Sequence, residues 1–276
     1  MTKTTSAAPV HCLVEADNIH AHLFSVTLTI DAPAAQQCVA LPVWIPGSYL
    51  VREFSKNLAH LTAQQGRTKL AALQLDKCTW QIGCNPSKPL VLRYQIYAHD
   101  NSVRTAWLDS QRGFFNATSI CMRVEGHETL EHCLEVMAPE KTTGWQLATG
   151  LKALKVNKQG FGTYSASNYD ELADGPVEMG AFWSGTFTAC GVPHRFVVAG
   201  ALPGFDGTKL LLDTKKICEE EIRFWHGNKK PPFANYLFML NAVDDGYGGL
   251  EHRNSTALIC NRKDLPRMEE PKVSEG

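Results

Sequence analysis

The sequence predicts a mainly β protein: an antiparallel β-sandwich-like domain over residues 1–175, then a shorter α/β segment over residues 176–276. Three observations carry that reading. Apolar and polar residues alternate with a period of two through most of the first part, as half-buried strands require. Turn-forming residues punctuate those runs at short intervals, in the manner of a sandwich or barrel. An apolar pattern of helical period is sustained only after Asp174-Gly-Pro176.

Taken in order, residues 22–30 alternate and are rich in β-branched side chains, and residues 38–45, 78–82, 90–97 and 134–137 follow the same logic. Between them stand Ala32-Pro33, Pro46-Gly47-Ser48, Gln65-Gly66, Asn85-Pro86-Ser87 and Gln111-Arg112-Gly113, all turn chemistries. No segment repeats, which excludes a propeller or solenoid. Past residue 176, a strand over 194–199 leads through Pro203-Gly204 to a helix from Thr208 to about His226. Leu211, Cys218, Ile222 and Trp225 share a helical face with Leu210, Thr214 and Ile217, and the charged residues lie mostly opposite. Asp206 or Thr208 suits its amino-terminal cap, while Gly227 followed by Pro231-Pro232 stops it. Residues 236–240 and 256–260 are two more strands. Strand, helix, strand, strand begins an α/β domain without completing one.

With 276 residues, 44% of them hydrophobic and 20% charged, the chain can bury a large core and carries no signature of disorder. Its 27 basic and 28 acidic residues leave a formal net charge of −1, which offers nucleic acid or an anionic membrane no electrostatic footprint. No apolar run approaches the roughly 20 residues that cross a bilayer. The start, Met1 to Val10, resembles neither a signal nor a transit peptide. No nucleic-acid partner and no membrane are therefore expected. Nine cysteines, without a Cys-x-x-Cys pair, read as scattered buried thiols of a cytoplasmic protein.

Standard catalytic signatures are missing. There is no Gly-Lys-Ser or Gly-Lys-Thr, Gly160-Phe-Gly162 lacks a third glycine, and Phe182 ahead of Ser184 excludes a nucleophile elbow. Zinc sites of the His-Glu-x-x-His type need two histidines one helical turn apart, facing one metal. In His127-Glu-Thr-Leu-Glu-His132 the second histidine comes one residue late, about 100° further round a helix. His20 and His22 share a strand face but have no third ligand nearby, and read as a solvated pair.

The informative segment is Asp244-Asp-Gly-Tyr-Gly-Gly-Leu-Glu-His-Arg-Asn-Ser-Thr256. Spacing alone reads most simply as a glycine-rich turn bearing a solvated glutamate. The alternative is an extended stretch from Gly248 to His252, with Gly249 and Glu251 on one face and Leu250 and His252 on the other. A peptide can lie along such a bare edge, main chain to main chain, with the Glu251 carboxylate holding an α-ammonium group.

Tyr247-Gly-Gly-Leu-Glu-His-Arg-Asn-Ser255 resembles the exopeptidase motif of the glycyl-aminopeptidase-type zinc metallopeptidases. Three more segments match that family in the same order: Trp44-Ile-Pro-Gly-Ser-Tyr-Leu-Val-Arg-Glu-Phe-Ser-Lys-Asn57, Phe114-Phe-Asn-Ala-Thr-Ser119 and Tyr169-Asp-Glu-Leu-Ala-Asp-Gly-Pro-Val-Glu-Met-Gly180. The resemblance implies an amino-terminal β domain followed by the incomplete start of a thermolysin-like (gluzincin) catalytic domain; the family also carries a PDZ domain. It implies that Glu251 binds the substrate's free amino terminus, that Gly248 and Gly249 line the cleft beside His252, and that substrates begin with Gly or Ala. His252 and Leu250 stand where related aminopeptidases have Asn and Met.

The family's zinc helix follows this motif, and the sequence here ends at Gly276 without one. The chain is therefore expected to supply no catalytic residue, no metal ligand and no cofactor of its own, zinc belonging to the full-length family, and to be inactive alone. A second reading is a non-enzymatic peptide-binding or scaffolding module using the same glycine edge; a third is a complete enzyme with His20, His22 and His252 as improvised ligands. Among the other matched residues, Trp44, Tyr49 and Phe54 are expected in the core. Arg52 with Glu53, and Asp170 with Glu171, are expected in interdomain or surface polar contacts. The part after 176 is expected to expose apolar area and to self-associate.

Overall fold

The structure, a computed structural model, describes residues 9–140 and 142–268. The chain divides into two units, one ending at Ala181 and one starting at Phe182. The first unit begins with β1 (Val10–Asn18), β2 (Leu23–Ile30), β3 (Gln36–Ala40), β4 (Leu58–Gln65), β5 (Thr68–Leu70), β6 (Ala72–Gln74), β7 (Thr79–Gly83) and β8 (Leu90–Tyr97). It continues through β9 (Ala106–Leu108), β10 (Arg112–Phe115), the one-turn helix α1 (Ala117–Ile120), β11 (Arg123–Val124) and β12 (His132–Met137). The unit closes with β13 (Gln146–Thr149), β14 (Lys152–Val156), β15 (Gly162–Ala166), α2 (Tyr169–Ala173) and β16 (Val177–Gly180).

An 8-stranded sheet runs in the order β14-β15-β12-β1-β2-β8-β4-β5, beside two 4-stranded sheets, β13-β16-β10-β9 and β11-β3-β7-β6. β1 and β12 pair in parallel, and the central neighbours β1–β2 and β2–β8 are antiparallel. Alternation builds the core. Phe24, Val26, Leu28 and Ile30 of β2 are buried, as are Leu90, Leu92, Tyr94 and Ile96 of β8. Phe24 meets Phe115 of β10 edge-on, with ring centroids 5.5 Å apart, so the large sheet packs on a second layer as a sandwich does. Between β10 and β16 the Arg112 guanidinium donates from Nε and Nη2 to the two oxygens of the buried Glu178 carboxylate, both at 2.7 Å. Bidentate pairing satisfies a charge that burial otherwise penalises.

Several sequence expectations are corrected here. The strand expected over 38–45 is confined to Gln36–Ala40, because Pro42 cannot donate to a ladder. Phe54 is buried, but Trp44 is 47% exposed and Tyr49 99%. Local polar bonds hold that loop open: Trp44 Nε1 donates to the Ser48 carbonyl at 2.7 Å, and Arg52 Nε to Ser48 Oγ at 2.9 Å. Glu53 pairs with Lys77. Glu171 Oε2 accepts from the Ser167 amide at 2.6 Å, while Asn168 Oδ1 accepts from the Glu171 amide at 2.8 Å, closing a capping arrangement at the start of α2. Of the nine cysteines, Cys12, Cys121 and Cys133 are buried and the others are only partly so.

The second unit comprises β17 (Trp183–Ala189), β18 (Val192–Ala199), α3 (Gly207–His226), β19 (Tyr236–Val243), β20 (Gly248–Glu251) and β21 (Ser255–Asn261). Its 5-stranded sheet runs β17-β18-β19-β21-β20; β18, β19 and β21 are parallel, and β17 and β20 are antiparallel edges. Asp206 caps α3 by accepting from the Lys209 amide at 2.9 Å, and Gly227, at φ 58, ends it. Leu210 and Leu211 pack on Phe196, Val198, Leu240 and Ala242. The helix begins against Trp183, whose ring leaves no room for a Cβ at Gly207. Ile222 is buried, but Ile217 and Trp225, expected on the same inward face, are 63% and 71% exposed. No helix of the described residues is long and apolar enough to cross a membrane.

Candidate functional site

The glycine segment is a strand, not merely a turn. After β19, residues 244–247 form a short loop braced to the far end of β21: Arg262 Nε lies 3.1 Å from Asp244 Oδ1, and Asn261 Nδ2 donates to the Asp244 carbonyl at 2.6 Å. The chain then turns into β20 and pairs with β21 in the register Gly248↔Ile259, Gly249↔Leu258, Leu250↔Ala257 and Glu251↔Thr256. A tight turn closes the hairpin through the His252 amide, which donates to the Ser255 carbonyl at 2.9 Å.

Period-two alternation sorts the side chains. Leu250 is 0% exposed and anchors the strand, while its carbonyl accepts from Thr256 Oγ1 at 3.2 Å. Gly249 and Glu251 point the other way, on the face shared by Leu258, Thr256 and Phe238, their in-register neighbours. Glu251 is exposed and His252 partly buried. Tyr247, just ahead of the strand, is 98% exposed. β20 ends the strand order, as an edge to which an extended peptide can add.

The glycines of this segment differ in what they permit. At Gly246 an added Cβ would meet Val243 Cγ2 at 2.8 Å, so packing accounts for that glycine. At Gly249 it would meet Leu258 Cδ2 at 3.2 Å. At Gly248 nothing lies within 4 Å, and its φ is not among the positive ones. Neither internal packing nor backbone conformation demands a glycine at 248.

The histidines of the sequence analysis are engaged elsewhere. His127 Nε2 bonds the Ala32 carbonyl at 3.0 Å, and His132 Nδ1 the Leu130 carbonyl at 2.8 Å, with His132 starting β12 rather than lying on a helix. His22 stacks on His99 at 3.9 Å and bonds the Leu108 carbonyl through Nδ1 at 2.6 Å. Among the described residues no group of three or more His, Cys, Asp or Glu side chains is placed to hold a metal ion. Sequence reasoning missed the brace from Arg262 to Asp244, which no local pattern announces.

Residues 11–181 match the Peptidase M61 N-terminal domain. The crystal structure of an aminopeptidase N family protein from Idiomarina loihiensis is similar over 96% of this chain, at 39% identity and a TM-score of 0.90. This chain spans 44% of the length of that protein. The M1 zinc metallopeptidase from Deinococcus radiodurans is similar over 91% of this chain and 58% of its own, at 14% identity and a TM-score of 0.50, a likeness of fold alone. A mutant of that enzyme bound to a Tyr-Ser-Ala substrate gives the same identity and score. No curated protein sequence matches the chain. The fold and the family match define the amino-terminal domain of a peptidase family. The chain belongs to the M61 peptidase family.

Proposed function

We propose that β20 is a substrate-binding edge for peptides with a free amino terminus, in the amino-terminal portion of a zinc aminopeptidase. The peptide main chain lies against Gly248 and Gly249, and the Glu251 carboxylate holds the α-ammonium group beside His252. The observation that carries this reading is the open space around Gly248: a glycine that the fold itself does not require leaves room for another backbone. An exposed glutamate on the face of Gly249, at the end of the same edge strand, supplies the charge complement of an amine. The preference for an amino-terminal Gly or Ala rests on the likeness of Tyr247 to Ser255 to the glycyl-aminopeptidase motif. Orientation is all that these residues contribute to hydrolysis; no metal-dependent step is assigned to them.

We also propose that this part self-associates through α3, whose Leu212, Ile217, Phe224 and Trp225 are all more than half exposed.

Binding of a glycine-initiated peptide, free or acetylated at its amino terminus, tests the edge. The free amine is expected to bind at least about tenfold more tightly than the acetylated peptide, the scale of one charge-assisted hydrogen bond. Glu251→Ala is expected to erase that difference. Equal binding of both peptides by the unaltered chain would refute the assignment.

A further inference from the structure

We propose that Cys12 and Cys121 are a disulfide-forming pair, a modification site that fastens the 8-stranded sheet to the corner between α1 and β11. Cys12 Sγ lies 3.3 Å from Cys121 Sγ, with Cys12 at 2% exposure and Cys121 at 1%. A disulfide needs the sulfurs at about 2.05 Å, so forming it draws together two sulfurs that are already in contact. Among the described residues no other two cysteine sulfurs come within hydrogen-bonding reach of each other.

The surrounding structure fixes both partners. Cys12 is the third residue of β1, in register with Leu28 on one side and Leu134 on the other. Cys121 follows α1 on a backbone held at successive residues. Its amide donates to the Ala117 carbonyl at 2.7 Å, and its carbonyl accepts from the Tyr169 hydroxyl at 2.9 Å. The Tyr94 hydroxyl donates to the Ile120 carbonyl at 2.8 Å and accepts from the Met122 amide at 3.3 Å. Two buried phenols thus clamp the segment that presents Cys121 to Cys12. Contact with Cys121, and then burial, hold the Cys12 thiol well above its ordinary value, so exchange in the folded protein is slow and the bond forms during folding.

The oxidant is a small disulfide such as oxidised glutathione. One cysteine thiolate attacks it, giving a mixed disulfide and releasing one glutathione thiolate. The second cysteine thiolate then attacks the protein sulfur of that mixed disulfide, releasing the second. The two protons lost by the cysteines end on the two glutathione thiols: the protein pair is oxidised and the glutathione disulfide reduced. Because the cysteines are 109 positions apart, the bond closes a long loop and restricts the unfolded chain accordingly.

The test is to refold the chain from urea in a glutathione redox buffer, block free thiols in acid, and map the peptides. A linked peptide joining Cys12 and Cys121 is expected, with the other cysteines blocked. A higher urea midpoint is also expected, returning to its original value on reduction. Cys121→Ala is expected to lose both the link and the shift. Two blocked thiols at 12 and 121 under the most oxidising ratio, a different partner such as Cys133, or a linked protein without the shift would overturn the proposal.

Discussion

The central sheet of the first unit and the helix of the second treat apolar side chains in opposite ways. In the first, strands of the central sheet alternate cleanly, and residues such as Phe24, Leu28 and Leu92 fall to 1% exposure or less against a second layer. In the second, one helix lies on the sheet through Leu210 and Leu211, and its carboxy-terminal half carries Phe224 at 77% exposure and Trp225 at 71%. The difference teaches that a β-sandwich can close its core from its own two layers, whereas a sheet with one helix leaves apolar surface for something else to cover. Substrate binding is proposed for the unit with the unfinished surface.

The sharpest way to break the comparison is a matched pair of aromatic deletions. Phe24→Ala in the first unit is expected to cost about 3–5 kcal/mol in urea unfolding. Phe224→Ala is expected to cost no more than about 0.5 kcal/mol and to weaken concentration-dependent association in sedimentation. Equal losses from the two would erase the distinction.

Acidity probes each unit through a buried histidine. His132 is 1% exposed and His194 is 3% exposed with its ring stacked on Phe187, and burial lowers the pKa of both. A lowered folded value means the unfolded chain takes up the proton first. The stability each group contributes is therefore full above about pH 6.5 and is lost as pH falls from there towards the folded value. His132→Phe and His194→Phe should each flatten the fall in stability between pH 7.5 and 5.5, compared with the unaltered chain. A steeper fall in either variant would contradict the assignment.

The helix caps give the smallest effects. Asn168→Ala at α2 and Asp206→Ala at α3 should each cost about 1 kcal/mol. The comparison is sharpened if the α2 loss is spread over the first unit and the α3 loss stays local, as site-resolved hydrogen exchange would report.

Legibility in the sequence followed the physics of each element. Strands β2 and β8 could be read because one face is wet and the other dry, so a period of two survives in the residues. The short strands β5, β6, β9 and β11 could not, since pairing rather than pattern makes them strands. Trp44 and Tyr49 mislead because aromatic rings usually signal a core, while side-chain bonds from Trp44 and Arg52 to Ser48 hold that loop outward. The helix at α3 is plain in the sequence, but its inward face is narrower than the apolar pattern suggests: Ile217 and Trp225 lie outside it. At the candidate site the glycines and Glu251 stood out as a motif. What separates Gly248 from Gly246 is the space around each, which only the folded chain reveals. The meeting of Cys12 with Cys121, 109 positions apart, is equally beyond any local pattern.

The most direct test of the account is Gly248→Ala, read for stability and for binding together. If that glycine serves an incoming backbone rather than the fold, alanine should leave stability unchanged or raise it by about 0.4–1 kcal/mol. Binding of a free-amine peptide should meanwhile fall at least about tenfold, an effect of roughly 1.4 kcal/mol. Unchanged binding, or a loss of stability, would show that Gly248 belongs to the fold and that the edge is not where the peptide lies.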